Sequence, residues 1–379
     1  MRTELYTFRG TWNRPLNLDF DSCNTLILAF GAMGRDHKID TALQELRDTF
    51  PRSVIAGCSS AGEIYEEELL ENSLVVAVAK FEKTEIRKVE EPIHTPEDSR
   101  KIGEKIAREL LDSRLKGVLI LSEGLMINAT ELTRGLNNVL PEEVTVAGGL
   151  AADGARFEIT FILDERGRPT PELITAVGFY GEEIQFLSSF RGGWDKFGIE
   201  REITSARENV LYTLNDEPAL AVYKKYLGKY SKDLPASGLL FPLGIRESLD
   251  SEEIKVRTIL GVDEKEQSIT FAGELPEGGY ASFMKANVER LIDAAYEAGE
   301  DILPVSRHKG EALLIAVSCV GRKLLLKQRT EEELEAIMEL MPEGAHQIGF
   351  YAYGEISTNE SGRCDLHNQT MTLSLIMEE

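Results

Sequence analysis

Apolar positions along this chain fall into two patterns. Runs such as Leu74-Val75-Val76-Ala77-Val78-Ala79 and Ala312-Leu313-Leu314-Ile315-Ala316-Val317 have the length of buried strands. Others, such as Leu43-Gln44-Glu45-Leu46, carry apolar residues at helical spacing. In the first half this predicts helix over 41–50, strands over 53–57, 74–81 and 85–91, helix over 96–112, strand over 117–122, helix over 129–140 and strand over 143–148. A strand pair at 156–163 and 172–180 and a strand at 183–191 complete that half. The second half repeats the order: helix 218–228, strands 238–243, 254–262 and 267–274, helix 284–298, strand 311–318, helix 330–340, strands 346–353 and 370–377. Several strands follow one another directly, which excludes a purely parallel sheet. The expected fold is α+β, two related modules of mixed sheets covered by helices in an α/β/β/α-like layering, with a boundary near residue 195 (1–195 and 196–379) where Arg191-Gly192-Gly193-Trp194 interrupts the pattern.

A cassette recurs three times: an apolar strand, an amphipathic helix, a proline, a second apolar run and a glycine-rich turn. Its turns are Gly57-Cys58-Ser59-Ser60-Ala61-Gly62-Glu63, Gly148-Gly149-Leu150-Ala151-Ala152-Asp153-Gly154 and Gly349-Phe350-Tyr351-Ala352-Tyr353-Gly354-Glu355. The first and third share the spacing Gly-x-x-x-x-Gly-Glu. Both points suggest internal duplication.

Charge narrows the partners. The 65 acidic against 42 basic residues leave a formal charge of −23, whose field repels phosphate backbones and anionic lipid surfaces, so nucleic acid and membrane are not expected. The apolar runs are too short to span a bilayer and the N-terminus lacks a signal-like stretch. Four scattered cysteines (23, 58, 319, 364) without a Cys-x-x-Cys pair fit a reducing compartment, and the expected location is cytoplasmic.

Small residues in Gly57 to Glu63 would let backbone N–H groups and the Ser59 and Ser60 hydroxyls approach a carboxylate or phosphate, unless the loop is only a packing turn. Cys58 could be a nucleophile, but no neighbouring base is visible to lower its pKa. Glu63 and Glu355 hold matching places and could meet as a carboxylate pair. Tyr351 and Tyr353 alternate and would face one way as pocket walls or as ordinary half-buried tyrosines. Arg257 is the natural bidentate partner for a ligand carboxylate if it faces inward. His367 and Asn368, with Gln369, either line a pocket or cap a loop. Cys364 and His367 make only half a metal site, and His37, His94, His308 and His346 do not cluster with them, so neither metal nor cofactor is expected. The runs Glu66 to Glu68 and Glu331 to Glu333 read as solvated helix starts.

The turns at 57–64 and 349–356, the ending Leu366-His367-Asn368-Gln369-Thr370-Met371-Thr372-Leu373, and the stretches Asn215 to Tyr223 and Phe241 to Gly244 together resemble the FIST family over nearly the whole chain. That resemblance implies a sensory domain for small ligands, amino acids among them, found in bacteria with histidine kinases, chemoreceptors and cyclic-dinucleotide enzymes. The expected function is therefore a non-catalytic sensor that relays to a separate signalling protein, its pocket lying between the two modules. The alternative is a hydrolase or transferase using Cys58, Glu63 or Glu355. Apolar strand ends and Trp194 could also form a homodimer surface.

Overall fold

The computed structural model describes residues 1–32, 38–154, 156–234, 236–251, 253–303, 310–359 and 361–379. The expectations about His37 and His308 fall outside them.

The fold is α+β, built from four mixed or antiparallel sheets with helices against them. Three sheets are variations on one plan, each centred on a cassette. Its two strands run parallel, joined through helical segments: Thr25–Gly31 with Val54–Ser59, Leu115–Ser122 with Thr145–Leu150, and Ala312–Cys319 with Ala345–Ala352. An antiparallel strand flanks the first member each time: Leu74–Lys80, Leu173–Tyr180 and Met371–Glu378.

These strands are apolar on both faces because both faces are covered. Their inner faces converge on a shared core holding Leu28, Phe30, Leu119, Leu121, Ile315 and Phe350, with the Phe30 and Phe350 rings stacked at 4.7 Å. Outside, helix Lys38–Thr49 seals the first sheet with Leu43 and Leu46. Helices Ser99–Leu110 and Ala129–Asn137 seal the second, while Val288–Ile302 and Thr330–Met338 seal the third. A section through any two sheets is thus helix, sheet, sheet, helix, and the third sheet closes the core into a prism.

The sheets are interlocked by exchange. After its glycine turn each cassette sends a short hairpin to the next sheet. Glu63–Tyr65 leaves the first cassette and pairs with Ala345–Ala352 of the third. Glu355–Thr358 leaves the third and pairs with Thr145–Leu150 of the second. Ile162–Leu163 leaves the second and pairs with Val54–Ser59 of the first. The circuit closes on itself. Strand Ile184–Arg191 likewise joins the third sheet, so the two sequence halves share sheets rather than sitting side by side.

The fourth, eight-stranded sheet lies outside this body. It is organised on the long strand Trp194–Arg207 and packed by helix Ala219–Leu227 around Leu220, Tyr223 and Phe271. Gly193 lets the chain turn into it: its φ is +73°, and a Cβ there would lie 2.3 Å from the Arg290 carbonyl oxygen.

Several expected elements differ. Between 191 and 218, where the pattern predicts no element, runs the strand Trp194–Arg207, whose exposed face tolerates charge. The expected helix 284–298 starts later, because Tyr280–Ala286 is a strand and Asn287 caps helix Val288–Ile302 by accepting from the Glu289 N–H. Of residues 238–243, the first three end the 3-10 segment Ala236–Leu240 and only Leu243 is strand, and only Ile162–Leu163 of 156–163 is strand. Glu66 to Glu68 opens no helix. It forms the hairpin turn between Glu63–Tyr65 and Glu68–Leu70, with Glu66 at φ +52°. Glu333 does sit in a helix start, yet it is fully buried against Arg322 rather than solvated. Among the described residues, no helix is long and apolar enough to cross a membrane.

Candidate ligand-binding site

Each cassette's leading glycine is required by its parallel neighbour. A Cβ on Gly57, Gly148 or Gly349 would lie 1.9, 1.8 or 1.8 Å from the carbonyl oxygen of Ala29, Ile120 or Ala316. Beyond these glycines the three turns meet and are tied in a ring by main-chain bonds. Ala61 N–H donates to Tyr351 O at 2.9 Å, Tyr353 N–H to Leu150 O at 3.2 Å, and Ala152 N–H to Ser59 O at 3.0 Å.

Most of the donors that an anion would need are already engaged. Ser59 N–H bonds Phe161 O and Ser60 N–H bonds Gly31 O. The Ser59 hydroxyl accepts from Phe161 N–H, while the Ser60 hydroxyl donates to Glu63. The glycine turn is held closed by these bonds, as in the packing-turn alternative. Cys58 lies wholly in the shared core, where burial pushes its thiol far up and leaves it protonated and inert.

Tyr351 is buried and donates to Glu333 at 2.7 Å, within the network formed by Arg322, Glu333 and Ser318. Tyr353 is half-buried, stacks on Phe157 at 4.4 Å and hydrogen-bonds Asp153. The two rings serve different networks and do not form one wall. Arg257 does face inward, but its guanidinium is taken by main-chain carbonyls, Leu366 O at 3.1 Å and Glu274 O at 3.3 Å.

The two turn carboxylates anchor separate sheets. Glu63 pairs in register with Phe350 and accepts from the N–H and hydroxyl of Ser73, at 3.1 and 2.7 Å. Burial lifts its pKa to about 6 against those bonds. Glu355 pairs in register with Gly149 and accepts through Oε2 from the N–H and hydroxyl of Thr370, at 3.0 and 2.8 Å. At the equivalent place in the second cassette stands Ile162, and Leu173 takes the place of Ser73 and Thr370. Carboxylate and hydroxyl are absent together, as pairing requires.

The hairpins return through three equivalent turns, Leu70 to Ser73, Thr170 to Leu173 and His367 to Thr370. Each holds its third residue at positive φ: Asn72 at +54°, Glu172 at +53° and Gln369 at +63°. In the first turn Glu71 and Asn72 are exposed, and in the second Pro171 and Glu172 are exposed. In the third, His367, Asn368 and Gln369 are buried at 6, 1 and 0% exposure. The covering comes from the outer sheet and its connections: Trp194 Nε1–H donates to Gln369 O at 3.0 Å, and Gln369 Nε2 reaches Leu239 O at 3.5 Å. Gly321 makes room, since a Cβ there would lie 2.4 Å from Gln369 Nε2.

This buried turn is not hydrogen-bonded to completion. Glu355 Oε1, His367 Nε2, Asn368 Oδ1 and Gln369 Oε1 are shielded from solvent and have no partner. Buried polar atoms are nearly always paired, and each orphan costs about 1–3 kcal/mol. Burial lifts the Glu355 pKa to about 8 and pushes His367 down to about 4, so the imidazole is neutral at pH 7. The ring of His367 stacks on Phe190 at 3.8 Å and bonds the Ser357 main chain. The Cys319 thiol sits beside Glu355, with its own pKa raised well up by burial.

Two surface hollows, of about 140 and 410 Å³, lie elsewhere, lined by residues such as Asn137, Glu142 and Arg363 or Asp112 and Lys116. Among the described residues no group of three or more His, Cys, Asp or Glu has the arrangement of a metal site. Of the candidates read from the sequence, then, the structure gathers Glu355, His367 and Asn368. Gln369, read with them in the sequence, joins them, as does Cys319, an apolar strand end that carries no signal of its own.

Family models match most of the chain: the FIST N domain over residues 25–217 and the FIST C domain over 219–358. An uncharacterized protein of the archaeon Methanocaldococcus jannaschii is 21% identical over 400 aligned positions, covering 93% of this chain and 73% of its own length. The turn at 367–370 lies past the matched stretches.

Proposed function

The chain belongs to the FIST family, whose domains are associated with sensory roles in signal transduction, and from this premise we propose that it binds a small polar metabolite at the His367-Asn368-Gln369 turn and passes its state to a separate signalling protein. One observation carries the reading: four of the buried polar atoms without a partner fall on one covered stretch, Glu355 and the neighbouring residues 367–369. A bound ligand recovers that lost hydrogen bonding.

The placement suits a sensor. The turn belongs to the three-sheet body, while Trp194 and Leu239 belong to the outer sheet and its connections. A ligand that changes how Gln369 meets Trp194 and Leu239 would shift the outer sheet against the body, which is the differential contact that population shift requires. Amino acids are the first class to test. A histidine kinase, chemoreceptor or cyclic-dinucleotide enzyme is the kind of partner that would read the shift, and the cytoplasm is the proposed location. Catalysis by Cys58 is disfavoured by its burial and by the absence of a base among the described residues around it.

A thermal-shift screen of amino acids, small carboxylates and nucleotides tests this. A ligand at 100 times its Kd stabilises the native state by about 2.7 kcal/mol. The expected result is a saturable hit, recovered chemically unchanged and weakened by Asn368→Ala. A hit insensitive to Asn368→Ala, or a ligand turned over by the protein, would defeat the proposal.

A further inference from the structure

The hydrogen-bonding sense of the buried turn says what kind of group it would hold, given the ligand-binding reading above. From the unpartnered atoms and the occupied donors we infer that the site receives the protonated amine of its ligand, whose charge ionises Glu355 and makes it the counter-charge.

The donors around the turn are already engaged. Asn368 Nδ2 donates to His367 O at 2.9 Å, and Gln369 Nε2 points at Leu239 O. Flipping either amide would set oxygen against a carbonyl oxygen, so these orientations are fixed by their surroundings. The bond from His367 to the Ser357 main chain leaves Nε2 of the neutral ring as an acceptor. The Thr370 hydroxyl donates to Glu355, and Trp194 Nε1–H to Gln369 O.

The nearby cations are likewise engaged. Arg322 holds Glu333 at 2.8 Å together with the Gly192 and Leu291 carbonyls. Arg257 is taken by the Leu366 and Glu274 carbonyls, and Lys255 by Asp365 at 2.5 Å.

What remains is a set of acceptors: the amide oxygens of Asn368 and Gln369, the imidazole Nε2 of His367, and Glu355 Oε1. No ion pair to Glu355 occurs among the described residues. A carboxylate or phosphate would find only the protons of the Glu355 carboxyl and the Cys319 thiol there, and would lose the first as Glu355 ionised. An ammonium group brings up to three N–H donors and a positive charge, supplying both missing elements. In the other two cassettes the corresponding turns are exposed, and one has Ile162 in place of the carboxylate, so the acceptor set is complete only where the outer sheet covers it.

Trp194 gives a direct readout, since the chain has two tryptophans and Trp12 can be removed by Trp12→Phe. The full-length Trp12→Phe protein is titrated with methylammonium chloride and ammonium chloride, with potassium chloride and sodium acetate at matched ionic strength as controls. The expected result is a saturable fluorescence change with the two amines only, weakened at least tenfold by Gln369→Leu. Glu355→Gln, which keeps the size and removes the counter-charge, should weaken methylammonium at least tenfold and guards against the case in which Gln369→Leu misfolds. Potassium acting as well as ammonium would replace the amine by a simple cation and overturn the inference. A response to acetate lost in Gln369→Leu would overturn it while leaving the ligand-binding reading intact. No response to any probe, and no Asn368-dependent hit in the wider screen, would remove both.

Discussion

The Glu355 carboxyl makes a quantitative prediction. It is fully buried, and burial raises its pKa from 4.5 to about 8 against the Thr370 bonds. A carboxyl with a raised folded-state pKa favours folding below its unfolded value, and that advantage is lost as pH rises toward the folded one. Linkage at about 1.36 kcal/mol per pKa unit gives a loss near 1.4 kcal/mol at pH 5.5 and about 4.6 kcal/mol at pH 8.5, a fall of roughly 3 kcal/mol across that window. Glu355→Gln keeps the size, cannot ionise, and removes this dependence. Urea unfolding at half-unit steps from pH 5.5 to 8.5, without ligand, should show the wild type losing about 3 kcal/mol more than the variant. Glu63, with a pKa of about 6, titrates in the same window but is common to both proteins, so it cancels in the difference. Parallel curves would mean that Glu355 is hydrated or has moved to a partner, and the account of the buried turn would fall with them.

Three further outcomes follow from the packing. Glu378 accepts from the N–H groups of Glu82, Lys83 and Thr84 and pairs with the Met1 ammonium at 3.3 Å. Although burial alone would raise its pKa, those donors hold it at about 2. Its contribution is present above pH 4.5 and lost as pH falls toward 2, so Glu378→Gln should cost about 2–3 kcal/mol at pH 7 in denaturant melts and almost nothing near pH 2. Gly349→Ala places a Cβ 1.8 Å from the Ala316 carbonyl, where only backbone movement relieves it, and should cost about 3 kcal/mol in urea melts, against less than about 0.5 for Gly261→Ala in open space. Arg322→Met strands the buried Glu333 and should lower stability by about 3–5 kcal/mol, much of it recovered in the double variant with Glu333→Gln when unfolding midpoints are compared.

Much of the fold was legible. The cassettes carry their own period, and their strands are marked because a strand covered on both faces must be apolar throughout. The cassette strands, most of their helices and the leading glycines accordingly stood where the pattern placed them, while their parallel pairing came from the structure. Short hairpins were not legible. Glu63–Tyr65 and Glu355–Thr358 are three and four residues long, and their carboxylates read as a pair that could meet, although each is buried against its own hydroxyl, Ser73 or Thr370. Strand Trp194–Arg207 was hidden by its own exposure, since an outward strand needs no apolar alternation.

The candidate site divides the same way. The sequence by itself determined three copies of one strand, helix and glycine-turn unit, and a run of polar residues at 367–369 that breaks the apolar pattern. It could not say which turn is buried, because local geometry is the same in all three, down to the residue at positive φ. Tertiary structure decided that through contacts more than a hundred residues apart, Trp194 and Leu239 onto Gln369. Burial is a property of what lies on top of a residue, and hydrogen-bond satisfaction depends on every neighbour at once. The same polar side chains would be solvated on one turn, and on the covered one they become acceptors without donors.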